Sequence, residues 1–100
     1  MATEVLQVDP RTLRLPTERL QGADRLKLWR QIATHGKSTD GMPPLWVSRG
    51  KDGELQILDG VTRATRVAKL LPGQPITVEV TEEEPDRDYS KLPTIGDRLP

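Results

Sequence analysis

The chain has 100 residues, with 15 basic and 15 acidic side chains, one histidine and no cysteine, and 34% of its residues are hydrophobic. A chain of this length supports one small core, and the absence of cysteine excludes disulfides, thiolate metal sites and cysteine nucleophiles. A net charge of zero argues against an extended basic surface that neutralises many phosphates, but it leaves room for a small local anion site.

The first ten residues contain the acidic side chains Glu4 and Asp9, and they lack the basic start and apolar run of a signal peptide. The sequence contains no stretch of about 18 apolar residues, so no membrane span is predicted. We therefore expect a cytoplasmic protein that has no membrane partner.

The first part of the chain predicts a strand and then a helix. Apolar residues at 5–8 and 13–15 indicate one strand, or two short strands around a turn. From Pro16 onward, apolar side chains recur every three or four residues, which predicts an amphipathic helix that ends at Gly36 and is divided at Gly22 in one version. The predicted buried face comprises Leu20, Ala23, Leu26, Trp29, Ile32 and Ala33.

The middle of the chain predicts a β-hairpin. Residues 45–48 and 54–58 read as strands, and Asp52-Gly53 supplies the positive-φ residues of the tight turn between them. Alternation along the strand places Trp46 on the face opposite its apolar neighbours Leu45 and Val47. It therefore either packs under a helix or forms an exposed platform for a base or a partner peptide.

A second helix, a last strand and a tail follow the hairpin. The inner face of the helix is predicted to carry Val61, Ala64, Val67, Ala68 and Leu71. Its solvent face is predicted to carry Thr62, Arg63, Thr65, Arg66 and Lys69. Residues 76–81 alternate as a strand with one buried face, and the acidic, proline-containing residues 82–100 predict an irregular tail anchored by Tyr89, Leu92 or Ile95. The predicted architecture is one α+β domain at residues 1–81, in the order strand, helix, hairpin, helix, strand, followed by the tail.

The junction between the hairpin and the second helix is the strongest candidate for chemistry. The apolar strand runs through Asp59 and Gly60 directly into the helix. Such a turn points free backbone N–H groups at one place, where the helix dipole favours an anion. Thr62 adds a hydroxyl, and Arg63 and Arg66 add guanidinium groups that bind phosphate. The spacing also allows a plainer interpretation, in which Asp59 or Gly60 only caps the helix and the polar side chains are solvated.

Residues 5–80 resemble the ParB/sulfiredoxin-like domain family. The segments P-P-L-W-V and L-Q-I-L-D-G-V-T-R-A-T-R-V-A are similar to the first hairpin strand and to the signature turn of that family. The resemblance implies that the turn binds the phosphates of a nucleotide or of nucleic acid through Gly60, Thr62, Arg63 and Arg66. Val61 stands where sulfiredoxins carry a cysteine, so the resemblance does not extend to their reductase chemistry.

The sequence therefore predicts a phosphate-, nucleotide- or nucleic-acid-binding module, with nuclease-like activity if the ligand is nucleic acid. The predicted site consists of Asp59, Gly60, Thr62, Arg63 and Arg66. No metal site is predicted, because the spacing gives no reason for Glu54, Asp59 and Glu79 to meet as metal ligands. Catalysis and the identity of any cofactor are left open. The alternative function is a non-enzymatic module that binds a protein through the same scaffold and its tail.

Overall fold

Four strands and two α-helices lie along residues 4–100, the part of the chain that a computed structural model describes. The main elements are β1 (Glu4–Val8), α1 (Arg25–His35), β2 (Leu45–Gly50), β3 (Leu55–Asp59), α2 (Val61–Leu70) and β4 (Ile76–Glu84). Short 3-10 turns lie at Pro10–Thr12, Thr17–Arg19 and Gly96–Arg98. The predicted α+β class is confirmed. Residues 1–3, which belong to the stretch that lacks signal-peptide character, lie outside the described residues.

The four strands form one mixed sheet in the order β1-β4-β2-β3. β1 pairs antiparallel with β4, and β2 pairs antiparallel with β3 as the predicted hairpin. In its turn Gly53 has a φ of +81°, whereas Asp52, predicted to share the positive φ, does not have one. β2 and β4 pair in parallel, which requires a crossover, and α2 provides it. The β3–α2 junction is therefore the start of the crossover.

The hydrophobic core lies between α2 and one face of the sheet. Leu6, Val78 and Leu45 occupy neighbouring positions on three strands, and the last two are fully buried. Ala64 and Val67 of α2 are also fully buried and belong to the same cluster. Neither helix within residues 4–100 has the length and apolar character needed to cross a membrane.

The opposite face of the sheet is open at the end that carries Trp46, and Tyr89 covers its other end. The pairing places Val5, Glu79, Trp46 and Asp59 in one row across the four strands. Val5 is 56% exposed and Trp46 is 53% exposed. Of the two interpretations of Trp46, the structure has the exposed one.

Helix α1 follows the version of its prediction that is divided at Gly22, but its buried face differs. It begins at Arg25, and the side chain of Asp24 caps it by accepting a hydrogen bond from the Lys27 N–H at 3.0 Å. Leu28 is its only buried residue, whereas Leu26 and Trp29 are 58% and 63% exposed. The prediction that Leu26 and Trp29 pack in the core is wrong, because α1 packs against α2 along one edge rather than across the sheet.

The C-terminal segment packs onto the domain. β4 continues to Glu84 rather than ending at Thr81, since residues 82–84 pair in parallel with the end of β2. Tyr89, Leu92 and Ile95 were the three alternative anchors predicted for the tail. Tyr89 and Ile95 are buried, and Leu92 is half-buried. The Tyr89 hydroxyl lies 2.8 Å from the Ser48 hydroxyl in a buried hydrogen bond. The tail is irregular in backbone but contributes to the core.

Candidate anion-binding cleft

The turn between β3 and α2 depends on a glycine. Gly60 has a φ of +112°, in the left-handed region that favours glycine, and it is the residue that precedes the first turn of α2. A Cβ at this position would lie 2.6 Å from Leu45 Cγ and 3.0 Å from Arg63 Nη2. Close packing and backbone conformation, rather than the approach of a ligand, therefore explain the glycine.

The N-terminus of α2 has unsatisfied donors. The first helical hydrogen bond runs from the Ala64 N–H to the Gly60 carbonyl at 2.9 Å, so the amides of residues 61–63 precede the helical ladder. No side chain caps these amides within the described part of the chain. They lie at the positive end of the helix dipole, where an anion is stabilised.

Arg63 lies beside these amides and is held in place by two contacts. Its Nη2 is 3.4 Å from Asp59 Oδ2, and its Nη1 donates to the Pro43 carbonyl at 3.2 Å. The Arg63 side chain is 19% exposed, whereas that of Asp59 is 69% exposed. The guanidinium is thus preorganised at the turn, and an incoming anion would compete with the exposed Asp59 carboxylate for it.

Arg66 has a different environment from Arg63. It is only 3% exposed, and its Nη1 donates to the carbonyls of Gly36 and Ser38, each at 2.8 Å. These carbonyls lie at the C-terminal end of α1, where a helix attracts cations. Burial lowers the pKa of Arg66 from its usual value, although an arginine remains charged.

The sequence-based placement of Arg66 is therefore corrected. It was expected on the solvent face of α2 as a ligand-binding residue, but it is buried and absent from the cleft lining. Thr65, also expected outside, is buried and donates to the Val61 carbonyl. Lys69, also expected on the solvent face, donates to the Pro100 carbonyl at 2.9 Å.

A cleft of about 530 Å³ opens over the N-terminus of α2. Its walls are the turn at Thr17–Arg19, one side of α1, and the β3–α2 junction. It contains four of the five predicted site residues: Asp59, Gly60, Thr62 and Arg63. Its charged side chains are Arg19, Lys27, Arg63 and Arg87 against Glu18 and Asp59. Four cations therefore face two carboxylates, in a chain whose total charge is zero.

Sequence reasoning missed the residues that other segments contribute to the cleft. Arg19, Lys27 and Arg87 are far apart in the chain, and they meet only because the turn, α1 and the tail are folded around the β3–α2 junction. Gln31 also lines the cleft, and its Oε1 is buried without a hydrogen-bond partner among the described residues. An unpartnered buried acceptor at this position suits a ligand that carries an N–H or O–H donor.

The cleft has binding groups but no assembled metal centre. Within residues 4–100, no group of three or more His, Cys, Asp or Glu side chains is placed to hold a metal ion. Glu54 is paired with Arg14 at 2.7 Å, and Asp59 with Arg63. Glu54 and Asp59 therefore each face an arginine rather than one another.

Comparison with known proteins gives no family for this chain. It matches no protein-family model and no curated protein sequence. The resemblance to ParB/sulfiredoxin-like domains stays a prediction from the sequence.

Proposed function

We propose that the protein binds a small phosphate-bearing anion, such as a nucleotide, in the cleft over the N-terminus of α2. The observation that carries the proposal is an uncapped helix N-terminus that opens into a cleft where cations outnumber carboxylates. Backbone amides of residues 61–63 and the Thr62 hydroxyl would donate to phosphate oxygens, and Arg63 would bind the same group from the side. The cleft volume lies within the range of about 300–1,000 Å³ that is common for small-molecule sites.

A small ligand fits the electrostatics better than a long nucleic acid. Tight binding to a polyphosphate backbone needs many cations along one surface, because each neutralised phosphate adds to the affinity. Here the net charge is zero, and both Arg66 and Lys69 are engaged with backbone carbonyls. One phosphate or a short phosphate chain is therefore the proposed ligand chemistry.

The test is a titration of the ¹⁵N-labelled protein with pyrophosphate and with nucleoside mono- and triphosphates, followed by NMR. We expect the largest shifts at the amides of residues 61–63. Arg63→Ala should weaken binding by about 10- to 100-fold, because a hydrogen bond to a charged group contributes about 1.5–3 kcal/mol. Lys91→Ala removes the same charge from an exposed position outside the cleft, and it is the matched control.

Two results would contradict the proposal. One is the absence of shifts at residues 61–63 with millimolar pyrophosphate. The other is an equal loss of affinity in Arg63→Ala and Lys91→Ala, which would mean that only net charge matters.

Protein interaction is a second candidate function, and a separate observation favours it. Trp29 and Trp46 are both more than half exposed, and tryptophan is enriched at the centres of protein interfaces. Tyr89 and Ile95 of the tail are buried, so the folded domain, rather than a free tail, would provide such an interface. Arg63→Ala would leave this function intact.

A further inference from the structure

Two exposed apolar surfaces of the chain are unpartnered. The first, the open sheet face, is defined by Val5 and Trp46 in the row that also contains Glu79 and Asp59. Helix α2 packs on the other side of the sheet, where the core lies. A sheet with apolar side chains on both faces is normally covered by a second layer.

The second surface, the outer face of α1, combines apolar and basic side chains. Leu26 and Trp29 are 58% and 63% exposed, and Arg25 and Arg30 are exposed beside them. The eleven residues of α1 include no carboxylate, and of its three cations Arg25 and Arg30 lie outside the cleft. An exposed tryptophan between arginines is costly to leave in water, and it is a typical anchor for a partner.

The two surfaces complement each other in charge. The open sheet face carries the carboxylates of Glu79 and Asp59, and Asp59 also contacts Arg63 at 3.4 Å. The outer face of α1 carries cations around its apolar side chains.

We infer that the occupant of the open sheet face is α1 of a second copy of this chain. Leu26 and Trp29 of one copy pack against Val5 and Trp46 of the other, and the arginines of the helix approach the carboxylates of the sheet. The contact is heterologous, since different surfaces of the two copies meet. The inference rests on the second candidate function, protein interaction, and it does not require phosphate binding.

The experiment measures self-association by analytical ultracentrifugation of the full chain over a range of protein concentrations. Trp29→Glu places an acidic group opposite the acidic sheet face, and Trp46→Lys places a basic group opposite the basic helix. Each variant alone should weaken self-association by more than about thirtyfold, the loss typical of a tryptophan hot spot. Both positions are more than half exposed, so both variants should fold, which circular dichroism checks.

Mixing the two variants is the decisive measurement. Trp46→Lys keeps an intact α1 and Trp29→Glu keeps an intact sheet face, so the mixture should form a 1:1 heterodimer although each variant alone is monomeric. A mixture that stays monomeric overturns the inference, as does a wild-type chain that is monomeric at all concentrations. An association that only Trp46→Lys disrupts would indicate contact between two sheet faces, and it would also overturn the inference.

Control variants separate this contact from a nonspecific effect of added charge and from phosphate binding. Leu20→Glu adds an acidic group at an apolar position that is 40% exposed but belongs to neither surface, and it should leave self-association unchanged. Arg63→Ala should also leave it unchanged. Trp29→Glu should retain the pyrophosphate shifts at residues 61–63, so failure of one proposal is distinguishable from failure of the other.

Discussion

Arg63 and Arg66 show how small differences in direction decide the role of a residue. They are three positions apart on α2, so their side chains differ by only about 60° around the helix axis. Arg63 contacts Asp59 at the N-terminal turn of α2, whereas Arg66 donates to a carbonyl at the C-terminal end of α1. The sequence pattern places both on a polar face. Only the packing of α2 against α1 separates a candidate ligand-binding residue from a structural one.

Gly60 permits a sharp prediction at the level of one residue. Gly60→Ala should lower the free energy of unfolding through two terms, a left-handed conformation that costs about 1–2 kcal/mol and overpacking that costs about 1–3 kcal/mol. The second term arises because the new Cβ would lie 2.6 Å from Leu45 Cγ. Urea unfolding of the purified variant measures the loss.

Gly73→Ala is the matched control for this prediction. Gly73 also has a positive φ, of +84°, but a Cβ there would meet nothing within 4 Å. It should therefore lose only the conformational term. Equal losses in the two variants would contradict the packing role assigned to Leu45.

At the level of elements, α1 shows which signals in the sequence were reliable. Gly36 ends the helix as predicted, and Asp24 caps its start. The predicted buried stripe failed because residues 17–19 form a separate 3-10 turn and Gly22 adopts a positive φ. Leu20 and Ala23 are therefore not part of α1. The spacing of apolar residues in α1 also does not show which side of the helix faces the core, because only one edge of this helix is packed.

The Asp24 cap predicts a pH-dependent stability. The Lys27 N–H that donates to this carboxylate lowers the pKa of Asp24 below its ordinary value. A lowered pKa in the folded state means that the cap stabilises the protein at neutral pH, and that its contribution is lost as the pH falls below about 4. Asp24→Ala should therefore be less stable than the wild type at pH 7, with a difference that shrinks towards pH 2.

Asp24→Asn distinguishes capping from charge. Asparagine caps a helix about as well as aspartate and does not titrate, so this variant should keep most of the stability at pH 7. Its difference from Asp24→Ala should also persist in acid. Thermal unfolding from pH 2 to pH 7 gives all three curves, and a constant difference between wild type and Asp24→Ala would refute the titrating cap.

At the level of the whole molecule, local patterns predicted the elements but not the cleft. The hairpin turn at Asp52-Gly53 and the order of strands and helices follow from short-range signals. The cleft joins Arg19, Lys27 and Arg87 to the β3–α2 junction, and no local rule links positions so far apart. A neutral chain can thus carry a local excess of cations, because folding brings together basic residues that are separated in the sequence.

The C-terminal segment is the part of the whole fold that composition misrepresents most. Its prolines and acidic residues are typical of a solvated tail, yet Tyr89 and Ile95 are 0% and 1% exposed. Residues 13–15 connect this segment to the sheet, because Arg14 bonds β3 on one side while the Leu15 N–H donates to the Pro93 carbonyl at 2.8 Å. The segment therefore secures the edge of β3, which leads directly into the candidate site.

Truncation after Glu84 tests this dependence. Removing residues 85–100 exposes the space that Tyr89 and Ile95 fill, and each such side chain contributes about 1.5–3 kcal/mol by burial. A small domain has only about 5–15 kcal/mol of stability, so we expect the truncated chain to lose a large part of it and to show poorly dispersed amide NMR signals. Truncation after Arg98 keeps both anchors and should remain folded. A chain ending at Glu84 with a wild-type urea midpoint would instead show that β4 and the hairpin hold the cleft without the tail.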